Sequence, residues 1–250
     1  MFRLSLMATG LAAILLISAQ GGNASPIGPN LVENGDFSQV TMPNGPQEMT
    51  DSNVAGWSSS GYNFIFFPGT QTSGSLAPEY GSNVSFWNPG NGADNGFTDT
   101  SPTGGNYLAA DGAFRTGAIT QTLHGLNIGA EYAVSFDWAA AQQYTYTGAT
   151  TEQWMVSLGG QTASTVAYQL PSQGFSGWME QTFDFTATSA DEVLSFLANG
   201  TPNGEPPFSL LDGVSANEIL VPEPAAWLLL LAGVACLAAV RALPRNRLTV

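Results

Sequence analysis

Lysine is missing from this sequence altogether, and histidine and cysteine occur once each, as His124 and Cys236. The first absence excludes Schiff-base chemistry and a phosphate-loop lysine. The other two exclude a Cys/His zinc cluster and a disulfide framework. His124 has no G-x-S-x-G elbow to supply a serine partner, and Cys236 sits in an apolar run where a small apolar role suits it. Positive charge is equally scarce: the five basic residues are Arg3, Arg115, Arg241, Arg245 and Arg247, against nineteen acids. Residues 25–221 carry eighteen of those carboxylates and Arg115 alone, a balance that repels a phosphate backbone and excludes nucleic acid as a partner.

What remains is a chain of 250 residues, 44% apolar and 11% aromatic with 29 glycines, enough to build a sizeable core in one domain of ordinary length. The two ends read separately. Arg3 precedes a mostly apolar stretch from Leu4 to Ser18, and small residues lead to Ala24, so residues 1–24 read as a signal peptide. At the far end Pro222-Glu223-Pro224 stands before an uncharged run from Ala225 to Val240, followed by Arg241, Arg245 and Arg247. Residues 222–250 therefore read as two helix-stopping prolines, a single transmembrane helix and a basic cytoplasmic stop, with the body of the protein outside.

That order of elements resembles the PEP-CTERM sorting signal of Gram-negative bacteria. The resemblance implies a single-pass membrane intermediate processed by an exosortase, an integral-membrane thiol transpeptidase. It further implies export across the inner membrane and a final place at the cell surface or in an extracellular matrix rich in exopolysaccharide.

Residues 25–221 show short β-type runs between Gly, Pro, Asn and Ser clusters. In Tyr132 to Trp138 the residues Tyr132, Val134, Phe136 and Trp138 alternate with Ala133, Ser135 and Asp137, which predicts a strand with the first set in the core. Met179, Phe183 and Phe185 alternate likewise. The stretches 62–67, 84–87, 107–110, 118–123, 154–158, 193–197 and 210–215 bring the count to eight to ten strands. The expected fold is all-β, a two-sheet β-sandwich.

The motifs Asn34-Gly35-Asp36-Phe37, Ala55-Gly56-Trp57, Asn106 to Gly112, Ile119 to Leu123 and Leu211-Asp212-Gly213-Val214-Ser215, in that order, resemble the galactose-binding-like jelly-roll modules, which include many carbohydrate-binding modules. By that resemblance Asp36 and Asp212, with Glu33 or Asp111, are candidates for a structural calcium site. Ser38 departs from the pattern, standing where a related module commonly has Glu, and the same aspartates also suit solvated turns. Stacking on pyranose faces asks for exposed aromatics, and Trp57, Tyr62, Trp87, Tyr144 and Tyr146 are the candidates. Large aromatics equally suit a sandwich core. Arg115 is expected to pair with a carboxylate in its own loop, 111–116.

The expected function is non-catalytic association with exopolysaccharide or another matrix molecule. The alternatives are a structural coat or adhesion protein without a saccharide site, and a glycoside hydrolase built on a carboxylate pair.

Overall fold

The alternation from Tyr132 to Trp138 becomes an inward-facing row of the fold. Tyr132, Val134, Phe136 and Trp138 are buried while Ala133, Ser135 and Asp137 are half-exposed. The computed structural model describes residues 28–42, 45–98 and 100–219, together with Val234. The signal peptide at 1–24, the Pro222-Glu223-Pro224 motif, the apolar span and the arginines at 241, 245 and 247 lie outside the described residues, as do the boundaries at 24 and 221. Among the described residues no helix is long and apolar enough to cross a membrane.

The strands are β1 (Ser58–Ser59), β2 (Asn63–Phe66), β3 (Ser75–Ala77), β4 (Ser82–Val84), β5 (Tyr107–Asp111), β6 (Ile119–His124) and β7 (Glu131–Gln142). They continue as β8 (Thr150–Leu158), β9 (Gln161–Ser164), β10 (Tyr168–Leu170), β11 (Met179–Thr186), β12 (Asp191–Thr201) and β13 (Pro207–Ile219). Every pairing is antiparallel. One sheet runs β1-β6-β12-β8-β10, with β9 also on β8, and the other runs β11-β7-β13-β5-β2, while β3 and β4 form a separate hairpin. Consecutive strands β5, β6, β7 and β8 alternate between the two sheets, as the crossing connections of a jelly roll require.

Between the sheets lie Trp154, Val156, Leu158, Leu194 and Phe196 from one side and Val134, Phe136, Trp138, Leu108 and Leu211 from the other. Burying each of these large side chains stabilises the fold by roughly 1.5–3 kcal/mol. Trp154 also donates its Nε1–H to the Leu210 carbonyl oxygen at 3.0 Å, so its one polar atom is satisfied in the core.

The motifs near the start of the domain are tied to its last strand. The Asn34 amide donates to the carbonyls of Gln39 and Ala55 and accepts from the Gln39 N–H, while the Asn34 carbonyl accepts from Trp57 Nε1 at 3.1 Å. Gly35 lies against β13, where an added Cβ would sit 2.0 Å from the Val214 oxygen. Gly213, with φ +59°, forms the bulge of β13 that receives it.

The second sheet is buried on both faces over β2, β5, the end of β7 and the start of β13. Ile65, Leu108 and Leu211 face the first sheet, whereas Phe64, Phe66, Ala109, Ala139, Ala141, Phe208 and Leu210 face away from it and are equally dry. A third layer covers them: Ala77, Val84, Phe86 and Phe97 from the segment around the β3–β4 hairpin, with Phe175 and Trp178 from the chain before β11. This explains why Asn63-Phe64-Ile65-Phe66 and Trp138-Ala139-Ala140-Ala141 are continuous apolar runs instead of alternating ones. The expected two-layer sandwich is thus locally three layers deep.

Candidate functional site

At one end of the second sheet β5 stops at Asp111, β7 stops at Gln142, and β13 and β2 begin. The register pairs Phe208 with Asp111, Pro207 with Gln142 and Asn63 with Ala110, so the four strand ends share one rim. Loops rising from this rim enclose a cavity of about 330 Å³. Its walls are Tyr62 ahead of β2, Tyr80 from the β3–β4 turn, Phe114 after β5, Gln143 and Tyr146 after β7, and Asn203, Gly204 and Pro206 between β12 and β13; Asp111 forms part of its lining.

The aromatic walls are built edge to face. Tyr62 meets Phe114 at 5.3 Å and Tyr80 at 5.9 Å between ring centroids, both nearly perpendicular, and it stands on Phe64 at 4.6 Å. Tyr80, Phe114 and Tyr146 remain 52%, 40% and 38% exposed, and no other aromatic residue among the described ones is as exposed. The loop carrying Tyr146 is braced from both sides. Trp87 Nε1 donates to the Tyr146 carbonyl at 2.7 Å, and Gln142, fully buried, donates to the Gly148 carbonyl at 2.9 Å.

The charge of the cavity is negative. Asp111 is 2% exposed, and its Oδ1 accepts from the N–H groups of Ala113 at 2.8 Å and Phe114 at 3.0 Å. Burial outweighs those two hydrogen bonds and pushes its carboxyl up to about 6. Burial likewise pushes the Tyr62 hydroxyl up to about 12, with further contributions from Tyr80, Glu48 and Asp111, and it raises Glu48 as well. Arg115, held at a left-handed φ of 46°, pairs with Glu79 and not with a carboxylate of its own loop as its sequence position suggests. The guanidinium is exposed at the rim, and its pKa is raised by hydrogen bonds to Glu79 and Tyr80.

The structure distributes the sequence candidates unequally. Tyr62 and Tyr146 line the cavity. Trp87 and Tyr144 are half-buried and spend their rings on each other, at 4.7 Å and 73°, which makes them the support of the Tyr146 loop. Trp57 is a correction: it is 2% exposed between Phe37 and Phe196 and has no face to offer a ligand. Tyr80, Phe114 and Asn203 escaped the sequence reading. Tyr80 and Phe114 carry the pattern that singled out Tyr144 and Tyr146, an aromatic residue isolated in a polar, turn-forming segment.

Of the four calcium candidates, Asp111 stands apart from Asp212, while Asp36 and Gly213 beside Asp212 line one surface pocket. Asp111 and Asp212 stand opposite and upon β13 four residues apart, roughly 13 Å at strand spacing, too far to share an ion. The Asp212 carboxylate is taken up by Thr103 N–H and Oγ1–H and by the Gly213 N–H, and burial raises its pKa despite them. Asp36 is exposed and accepts from Ser38, Glu33 is exposed, and no group of three or more His, Cys, Asp or Glu side chains among the described residues is placed to hold a metal. As placed, the side chains of Asp36, Asp111 and Asp212 accept hydrogen bonds from neighbouring turns and loops.

Neither a protein-family model nor a curated protein matches the sequence. Among solved structures, the chain is similar to the carbohydrate-binding module TmCBM61, solved in complex with β-1,4-galactotriose, at 15% identity and TM-score 0.38, covering 76% of this chain and 99% of that one. It is similar to the CBM22-1 xylan-binding domain of Xyn10C from Paenibacillus barcinonensis at 11% identity and TM-score 0.38, covering 80% and 100%. A third likeness is to the enzymatically active domain of the bacteriophage CBA120 tailspike protein 4, at 14% identity and TM-score 0.36, covering 76% of this chain and 21% of that one.

Proposed function

We propose that this chain is an exported, non-catalytic saccharide-binding protein whose jelly-roll domain, residues 25–221, holds a sugar unit in the cavity at the rim of β5, β7 and β13. The observation that carries this reading is the cavity itself: three open aromatic faces around a buried carboxylate, with the amides of Gln143 and Asn203 alongside. Rings offer flat apolar surfaces to the C–H faces of a pyranose. A desolvated carboxylate and two amides can hold its hydroxyls. The cavity volume lies at the lower end of the range for small-ligand sites, suited to a short segment of a polymer.

Two substitutions test it. Tyr146→Ala and Phe114→Ala in the full-length protein are each expected to weaken binding to a responsive polysaccharide on a glycan array by roughly five- to tenfold. Both residues are exposed, so thermal unfolding should be nearly unchanged. A blank array for the parent protein would favour the structural-coat reading. Release of new reducing ends from a bound polysaccharide would favour the hydrolase.

The sorting proposal is tested separately, on the natively expressed protein. Pro222-Glu223-Pro224, the apolar run and Arg241, Arg245 and Arg247 are proposed as the signal read by an exosortase, which releases the domain to the cell surface. Replacing Pro222, Glu223 and Pro224 together by alanine is expected to trap a full-length form in the membrane fraction. The unaltered protein should give a shorter mature form ending near residue 221. Identical intact masses and fractionation for both would reduce the C-terminus to a plain anchor.

A further inference from the structure

We propose that the cavity prefers an amine-bearing sugar, a hexosamine unit with its amino group free and protonated, over a neutral, N-acetylated or uronic-acid unit. This rests on the saccharide reading above and specifies the class of sugar.

The argument begins with Asp111. Its Oδ1 is satisfied by two backbone N–H groups, while among the described residues no hydrogen bond reaches its Oδ2. The residue is 98% removed from solvent and lines the cavity, so the second oxygen depends on what enters there. A buried carboxylate without a cation is costly, and the cation that could have served is engaged elsewhere: Arg115, the one basic residue of 25–221, is turned outward to Glu79 and Tyr80. A hydroxyl donor would satisfy the hydrogen bond and leave the charge. An ammonium satisfies both.

The walls favour the same group. Tyr62, Tyr80, Phe114 and Tyr146 present π-systems around the space above Asp111, and the negative face of a ring attracts a cation held within about 6 Å of it. The surroundings add to this. Glu48 lies close enough to Tyr62 to contribute to its raised pKa, Glu79 stands at the rim, and residues 25–221 hold eighteen carboxylates against one arginine. A uronate would approach against that field, whereas a cationic sugar is drawn in by it.

The test compares four trisaccharides by titration calorimetry with the full-length protein at about pH 6.5, above the value of about 6 for the Asp111 carboxyl and acidic enough to favour the ammonium form of a sugar amine. These are β-1,4-linked glucosamine, its N-acetylated counterpart, a β-1,4-glucan and a β-1,4-linked uronate. The glucosamine trimer is expected to bind at least about tenfold tighter than the other three. Asp111→Asn should remove that preference, because the amide still accepts from Ala113 and Phe114 but bears no charge. Asp184→Asn, which removes an exposed carboxylate on β11, should leave the preference intact and so separates local recognition from general attraction of a cation to an acidic protein. Should Asp111→Asn fail to fold, Phe114→Leu at its exposed position should weaken the glucosamine trimer roughly threefold more than the glucan.

Equal or tighter binding of the N-acetylated or neutral trimer overturns the amine preference and leaves the saccharide reading standing. A preference that survives Asp111→Asn, or in its place one that Phe114→Leu leaves undiminished, also overturns it. Silence from all four trimers overturns the preference, and a blank polysaccharide array in addition overturns the parent reading.

Discussion

Glu152→Gln is expected to make the protein more stable by about 3 kcal/mol at pH 7 and to leave its stability nearly unchanged near pH 4. Glu152 lies on the inward face of β8 beside Trp154, fully buried, with Oε1 accepting from Thr150 Oγ1 at 2.5 Å and Oε2 buried without a hydrogen-bond partner. Burial pushes its carboxyl up to about 8, against the single Thr150 hydrogen bond that lowers it. The unfolded chain releases this proton near the ordinary value of 4.5 and the folded chain retains it until about 8, so between those limits the folded state binds more protons. Stability is therefore greatest below about pH 4.5 as far as this group is concerned, and it falls through that window by up to about 1.4 kcal/mol per pH unit. Glutamine keeps an acceptor for Thr150 and never ionises. Urea unfolding at several pH values should show a falling curve for the parent and a flatter one for Glu152→Gln. Parallel curves would show that Glu152 does not titrate abnormally in the fold.

Trp57→Ala is expected to lower stability by about 3–5 kcal/mol, for a reason unconnected with ligand binding. The indole fills the space between Phe37 and Phe196, with centroids at 5.4 and 6.3 Å, and its Nε1–H closes the turn through the Asn34 carbonyl. Truncation leaves a cavity and an unsatisfied carbonyl at the point where residues 34–39 fold against residues 54–57. The thermal midpoint should drop by roughly 10 °C. Binding measured well below that midpoint should be unaltered, the reverse of the pattern for Tyr146→Ala. Full stability together with lost binding would move Trp57 from the core to the ligand.

These two residues mark what the sequence discloses. The strand alternations at 132–138 and 179–185 are legible because one face is dry and the other wet, so the side-chain period of two is written directly into polarity. Where both faces are dry, as in β2 and at the end of β7, the period vanishes. The covering layer responsible comes from residues far along the chain, Phe86, Phe97, Phe175 and Trp178 among them, which no local pattern announces. Short strands such as β3, β9 and β10 escape for a related reason. Each has only three or four residues, too few to show a period, and their pairing is decided by the neighbouring strand.

The candidate site was half legible. Tyr62 and Tyr146 stand out as aromatics in the wrong kind of segment, yet Trp57 and Trp87 stand out equally. Only three-dimensional packing separates a ring sealed in the core from one that leans on a loop or faces open space. Asp111 was noticed as an oxygen donor for a metal. Its placement at the end of β5, with one oxygen capped by the following turn, instead makes it part of the cavity. An acidic sequence offers many carboxylates, and the fold decides which of them are removed from water.

The three-layer stretch of the second sheet also orders the ways in which the protein can come apart. β13 has β7 on one side and β5 on the other, and over Phe208 to Leu211 its side chains are covered above and below. Its amide protons can reach solvent only when both neighbouring strands separate and both apolar layers open, which is close to complete unfolding. The β3–β4 hairpin lies outside both large sheets and is joined to β2 through residues 46–49, which bond Leu76 on one side and Asn63 and Ile65 on the other, so its attachment is narrower than that of β13. Hydrogen exchange is therefore expected to be slower in the middle of β13 than in the hairpin that carries Tyr80. One wall of the cavity is thus attached to a less protected part of the domain than its carboxylate, which is anchored beside β13.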